Sequence, residues 1–334
     1  MIKILYIGNN LAKQNPTTIV LLSKILKKTD FKVTVSSDKK NKVIRLFRMS
    51  IAVFKNNASY ILIDTYSTAN FYYALITSQL ARLRAIKYIP ILHGGNLPQR
   101  LDTNPFLSKL IFKHAYLNVA PSAYLKQAFK KRGFKTKLIA NPIDLKNYNF
   151  LKRKLKTPKL LWVRAFAKIY NPQMAIEVLL FLKEKYPSVK LCMVGADKDG
   201  SFLKIKNIVL ERGIENQVEF TGFLKKKDWI LLAKDYNIFL NTSNFDNMPV
   251  SVLEAMALGL AVISTDVGGM PFLIKDKENG ILVAKNNPKK MASKIVELIE
   301  SPSEYEKITK NARALISNFD LHYIQEQWRK ILLK

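Results

Sequence analysis

Short apolar runs rich in Ile, Val, Leu and Tyr recur along the chain. Between them lie longer stretches in which apolar residues return every three to four positions. The runs predict twelve strands. Six fall in the first half, at Ile2–Ile7, Lys32–Val35, Tyr60–Ile63, Tyr88–Leu92, Tyr116–Ala120 and Lys137–Ala140. Six fall in the second, at Lys159–Val163, Lys190–Val194, Gln217–Thr221, Tyr236–Asn241, Ala261–Thr265 and Gly280–Val283. Strands that alternate with helices imply an α/β architecture of parallel sheets covered on both faces. Six strands per half, in a chain of 334 residues, predict two Rossmann-like domains facing each other across a cleft. The polar, basic stretch from Asn141 to Pro158 reads as the linker. The expected divisions are therefore 1–157, 158–319 and a closing helix within 320–334. No run of 18 or more apolar residues occurs, because Asp64 interrupts the longest candidate, so no spanning helix is expected. The chain enters its first strand without the layout of a signal peptide, and the expected home is the cytoplasm.

One stretch, from Asn244 to Gly259, packs several chemical features together. Pro249 suits the first position of a helix, where a missing N–H costs nothing. Val252, Leu253, Met256 and Leu260 then fall on one apolar face, and Gly259 is placed to end the helix in the left-handed conformation. The amides of Met248, Val250 and Ser251 would cluster at the helix start, before the positive end of the dipole. That is a ready place for a phosphate. Asp246 and Glu254, eight residues apart, flank it. Carboxylates beside an anion site suit sugar and ribose hydroxyls, which they accept from.

In parallel sheets, ligands sit beyond the carboxyl ends of the strands. Gly8, Asn9 and Asn10 follow the first strand, and His93-Gly94-Gly95-Asn96 follow the fourth. Arg164 and Gly195 follow the first two strands of the second half, and Thr242 to Met248 follow the strand ending at Asn241. Arg164 suits a phosphate because its fork bonds two oxygens at once. His93 reads either as a site residue or as a strand-end residue bonded to backbone. No Ser, Cys or Asp partner suggests a hydrolase triad with it. Gly8-Asn9-Asn10 reads equally as a strand-to-loop turn. Asp197-Lys198-Asp199 is a literal Asp-x-Asp, set between Gly195 and Gly200 in turn chemistry.

The run from Asn244 to Gly259, continued by Ala261 to Pro271 with its Gly268-Gly269 turn, resembles the acid-x7-acid signature of the glycosyltransferases of family 4. That family has the two-domain GT-B fold. Its usual acidic pair is Glu and Glu, where this chain has Asp246 and Glu254, and it often has Glu where Phe272 stands. The resemblance implies a transferase that takes a nucleotide diphosphate sugar as donor substrate and acts with retention, without metal or cofactor. It implies that Glu254 holds the ribose and Asp246 the donor sugar. It also implies that Asn247, Met248, Val250 and Ser251 meet the donor at the helix start. The segment Trp162 to Pro172 resembles the one in which an Arg and a Lys grip the diphosphate. The family Lys comes five residues after the Arg, where Ile169 stands; Lys168 is one earlier. His93-Gly94 resembles the pair lining the donor sugar pocket. Gly8 and Asn9 stand where the family backbone approaches phosphate or sugar. Phe220-Thr221-Gly222-Phe223 resembles the segment that meets the base, giving Thr221 and Gly222 a donor role. The last helix is implied to pack back on the acceptor-side first domain.

Charge adds a partner. Residues 1–156 carry 29 Lys and Arg against 5 Asp, with no Glu, a balance of +24; residues 157–334 carry 26 against 20. The asymmetry suggests that the first half faces something anionic, a membrane or a polyphosphate. Two stretches, Val43–Lys55 and Ser122–Arg132, mix basic and apolar residues at helical spacing. Such a helix lies on an anionic bilayer or buries one face in a core. The partners expected are a nucleotide sugar, a glycan or lipid-linked acceptor and an anionic membrane surface on its inner face. Nucleic acid is not expected, because aromatic residues do not interleave with the basic clusters. A nucleotide-sugar epimerase of the same architecture is the second reading. The single cysteine, Cys192, lies in an apolar run and reads as a buried small hydrophobe.

Overall fold

The structure is a computed structural model, and it describes residues 1–9, 17–36, 38–153 and 155–334. Asn10 lies outside the described residues. In the first 143 residues the strands are β1 (Ile2–Ile7), β2 (Phe31–Ser36), β3 (Tyr60–Thr65), β4 (Lys87–Leu92), β5 (Asn118–Ala120) and β6 (Thr136–Leu138). Between them run α1 (Thr18–Lys27), α2 (Lys42–Lys55), α3 (Asn70–Leu83), α4 (Leu97–Thr103), α5 (Pro105–Phe112) and α6 (Ala123–Lys131). The second set of strands is β7 (Lys159–Val163), β8 (Lys190–Val194), β9 (Val218–Gly222), β10 (Ile238–Asn241), β11 (Ala261–Thr265) and β12 (Ile281–Val283). Its helices are α7 (Pro172–Lys185), α8 (Ser201–Glu211), α9 (Lys226–Leu232), α10 (Val250–Ala257), α11 (Met270–Leu273), α12 (Pro288–Glu300) and α13 (Pro302–Ile316). The chain closes with α14 (Leu321–Leu332).

Each set of strands forms one parallel sheet. The orders are β2-β1-β3-β4-β5-β6 and β12-β11-β10-β7-β8-β9. The first sheet reverses direction between β1 and β3, the second between β7 and β10. A crevice opens at such a switch point, beyond the carboxyl ends of the two strands. Each predicted run overlaps one of the strands described. A central strand such as β3, buried along its whole length, reads as a continuous apolar stretch, while the edge strand β2 alternates buried and exposed positions. In β1, Leu5 and Ile7 join the core under α2 and α3, while Ile4 and Tyr6 join the core under α1.

The chain divides into two compact units, Met1–Ile143 with Phe319–Lys334, and Asp144–Asn318. The division falls at Ile143, not at the expected 157, for an identifiable reason. The basic stretch after Ile143 is pinned to the second unit. Tyr148 is buried. The guanidinium of Arg153 donates to the carbonyls of Ala233, Lys234, Tyr236 and Leu258. In the first unit, α14 packs beside α1. Ile324 and Trp328 enter the core with Leu22 and Leu26, and the Gln325 amide donates to the Ile25 carbonyl at 2.6 Å. Cys192 is wholly buried in β8, and burial pushes its thiol up to about 12. Among the described residues, no helix is long and apolar enough to cross a membrane.

Candidate functional site

The loops after β7 and β10 meet at the switch point of the second sheet. The Thr242 hydroxyl, which accepts from the Trp162 indole at 3.0 Å, donates to the carbonyls of Tyr170 and Asn171. The Asn244 amide nitrogen donates to Ile169, and its side chain to Lys168. This stitching places Arg164 against Asp246: Nη2 of Arg164 forms an ion pair with Oδ2 of Asp246. The Arg164 guanidinium also lies over the Tyr170 ring, 4.6 Å from its centroid. Its Nε is buried without a hydrogen-bond partner. Burial draws the Arg164 pKa below its ordinary value, with Tyr170 acting in the opposite sense. A cation taken this far from water is held by few groups, and it has donors left over.

Asp246 is fixed in turn. Its Oδ1 accepts from the Asn247 amide at 2.9 Å, and its carbonyl accepts from the Gly269 amide at 2.8 Å. A Cβ at Gly268 would overlap the Asp246 carbonyl, and one at Gly269 the Asn247 carbonyl. The Gly-Gly turn is therefore the surface against which the Asp246 loop rests. Gly195 has the same function on the other side. Its Cβ would overlap the carbonyl of Arg164, and its amide donates to Gly222 at 2.9 Å, beside Thr221. Gly195, Thr221 and Gly222 thus join the crevice through backbone, above an aromatic cluster of Phe166, Phe202 and Phe220.

The helix α10 begins one residue later than the spacing predicts. Pro249 is its N-cap, with φ −69° and ψ 128°, and its carbonyl accepts from Val252 and Leu253. Val250 and Ser251 open the first turn, where amides have no carbonyl ahead of them. The Ser251 hydroxyl is buried without a partner at this end, beside Asn247 and Met248. Gly259 ends the helix at φ 79°, as its position predicts. Glu254 is buried on this helix. Its Oε1 accepts from the Tyr148 hydroxyl at 2.6 Å and pairs with the Lys226 ammonium at 2.6 Å. Both donors sit on the same oxygen. The Tyr148 hydroxyl is raised far above its usual range, by burial first and then by Glu254.

Lys168 lies in a single 3-10 turn and is exposed; its amide donates to Asp199 at 2.9 Å. Asp199 also accepts from Ser201, and Asp197 from Gly200 at 3.1 Å and Phe202 at 3.4 Å. The Ser201 hydroxyl, ahead of the Lys168 amide, holds the Asp199 carboxyl below its usual range. The Asp-x-Asp is thus committed to starting α8.

In the first unit the candidates meet at the switch point of their own sheet. His93 Nε2 lies 2.8 Å from Asp64 Oδ1, which also accepts from the Tyr6 hydroxyl at 2.9 Å. Tyr66 stacks on the imidazole at 5.1 Å. A Cβ at Gly8 would overlap Asp64 Oδ2. Asn9 Oδ1 accepts from Arg45 at 2.8 Å. His93 therefore has an Asp partner that its sequence neighbourhood does not reveal. The signal available was Asp64 itself, a lone acid ending an apolar strand. Tyr148 and Lys226 carry no such signal.

Residues 146–315 match the family model described as glycosyl transferases group 1, half of the chain. The chain belongs to that family. An uncharacterized glycosyltransferase of Haemophilus influenzae is 29% identical over 195 residues, covering 58% of this chain and 54% of its own length. An amylovoran biosynthesis glycosyltransferase of Erwinia amylovora is 25% identical over 166 residues, 47% of this chain and 40% of its own. The chain spans about half the length of these curated relatives. A crystal structure of Anabaena HepE in complex with UDP and glucose matches with a TM-score of 0.78 at 21% identity, covering 100% of both chains. That likeness identifies the fold as GT-B.

The Glu254 cluster generates a stability prediction. Lys226→Met should cost about 1–2 kcal/mol, the lower range for a charged hydrogen bond because the ammonium keeps 30% of its exposure. In a Glu254→Gln background the same change should cost much less. Urea unfolding of the four variants measures the coupling; strictly additive costs would show that the pair contributes nothing.

Proposed function

We propose that the chain is a glycosyltransferase that moves a hexose from a nucleotide diphosphate sugar to a hydroxyl of a glycan or lipid-linked saccharide, with retention at the anomeric carbon. One observation carries the reading: a half-buried Arg164 with an unsatisfied buried Nε, the Asp246 carboxylate and the open start of α10 share one crevice. The complex of the Anabaena protein with UDP and glucose, and the amylovoran biosynthesis named for the Erwinia relative, support the choice of donor and acceptor classes.

In the proposed step the bond from the anomeric carbon to the diphosphate oxygen breaks. The carbon bonds to the acceptor oxygen, and the hydroxyl proton passes to the departing diphosphate. Negative charge grows on the diphosphate as the bond opens. Arg164 and the amides of Val250 and Ser251 are already oriented toward such charge, so little reorganisation is required. The Ser251 hydroxyl adds one more donor. Asp246 accepts from sugar hydroxyls. Glu254 offers ribose the oxygen that Tyr148 and Lys226 leave free. Asn247, Met248, Gly195, Thr221, Gly222 and Lys168 contribute donor contacts in this reading. Because Arg164 and helix amides meet the diphosphate charge, the reaction needs no metal or cofactor. The protein works in the cytoplasm, attached to the inner face of the membrane.

The test is a panel of sugar nucleotides. At 100 times Kd, the correct donor should raise stability by about 2.7 kcal/mol, and transfer to an acceptor should follow. A panel without any stabilising member overturns the reading, and an altered free sugar nucleotide without acceptor would make the protein an epimerase instead. Arg164→Ala should lower kcat by about 10²–10³-fold, the range for one donor to a developing anion. A raised KM at constant kcat would show uniform binding instead. Turnover should also persist in excess EDTA; loss restored by Mg²⁺ or Mn²⁺ would return Asp197 and Asp199 to the site.

A further inference from the structure

The two basic helical stretches differ once their buried faces are known. On α6, Leu125 and Phe129 are wholly buried. Its apolar side is in the core, and its outward side carries Lys126, Lys130 and Lys131 with the polar Gln127. On α2 the core side is Arg45, Met49 and Val53. At 100° per residue, Val43, Phe47 and Phe54 project from the opposite side of the helix. They are 76%, 66% and 54% exposed, and Ile44 beside them is 51% exposed. The helix thus has a second apolar face, pointing outward and bordered by Arg48 and Lys55.

The setting is mainly basic. From Lys42 to Leu101 the only acidic residue is Asp64, which is buried with His93 and Tyr6. Arg84 donates to the carbonyls of Val53, Phe54 and Asn56 at the end of α2, and Leu83 beside it is 81% exposed. An apolar strip of this size edged by cations, whose neighbouring exposed acid Asp38 is paired with Lys39, is complementary to a surface that is apolar below and anionic above.

We infer that the outward face of α2 is the element that docks on an anionic lipid bilayer, with Phe47 and Phe54 entering the acyl boundary and Arg48 and Lys55 meeting headgroups. The inference rests on the membrane attachment in the proposed function and adds where that attachment is made; α6 serves only as a diffuse positive surface.

The experiment uses the full chain and phosphatidylcholine vesicles with and without phosphatidylglycerol. The wild type should pellet with the anionic vesicles only, less so as salt rises. Phe47→Ser with Phe54→Ser should lower the partition coefficient about tenfold or more. Arg48→Gln with Lys55→Gln should lower it by a similar factor and flatten its salt dependence. Lys126→Gln, Lys130→Gln and Lys131→Gln together should change it by no more than about twofold, since no apolar insertion is lost. Binding of the donor found in the sugar-nucleotide panel, titrated on each variant, should remain at the wild-type value. Absent binding of every member of that panel by the wild type would sink the transferase reading while the vesicle result stands. Unimpaired docking by the Phe variant, a loss confined to the α6 variant, or equal binding to neutral vesicles overturns the inference. So does a wild-type dimer that Phe47→Ser converts to a monomer, which would give the face to a second copy of the chain.

Discussion

The carboxyl edge of the second sheet is arranged around one half-buried cation, Arg164. Taking a guanidinium out of water is costly, and a single carboxylate repays that only in part. Arg164 has that carboxylate, one aromatic face and little else. The surrounding backbone makes the arrangement stiff. Gly195 lets one loop lie directly on the Arg164 carbonyl, and Gly268 and Gly269 let another lie directly on the Asp246 loop. Replacing any of the three would drive a Cβ into a backbone carbonyl. The ion pair is therefore better understood as part of a frame built to receive charge than as a stabilising contact in its own right.

The strands were legible because their environment is uniform. A strand buried on both faces must be apolar throughout, and runs such as Leu160 to Trp162 or Ala261 to Ile263 show it directly. The ends were less legible, since they depend on single bonds. Pro249 has the right φ for a first helical residue, yet its ψ is extended and its carbonyl caps the turn. The stretch after Ile143 is polar and basic, the composition of a linker. Only the geometry reveals that Arg153 spends its charge on carbonyls some 80 to 105 residues away.

The site divides the same way. Residues that sit just after strands, such as Arg164 and Asp246, follow from topology alone. Partners that reach in from elsewhere do not. Tyr148 meets Glu254 across 106 residues. Lys226 is the middle of three consecutive lysines, which nothing in the sequence separates. Asp64 stood out as an acid in an apolar strand, but its pairing with His93 requires knowing that β3 and β4 are neighbours. Likewise, the helical period of α2 shows apolar residues all round, and only the packing decides which of them face outward.

One quiet feature has a practical reach. The lone thiol, Cys192, is sealed within β8 and holds its proton well past neutrality. Thiolate, not thiol, attacks electrophiles, so Cys192 in the folded chain should not react with maleimides. A cysteine installed anywhere on the surface would be the sole reactive sulfur, and a spectroscopic probe could be attached there without first stripping the native one away.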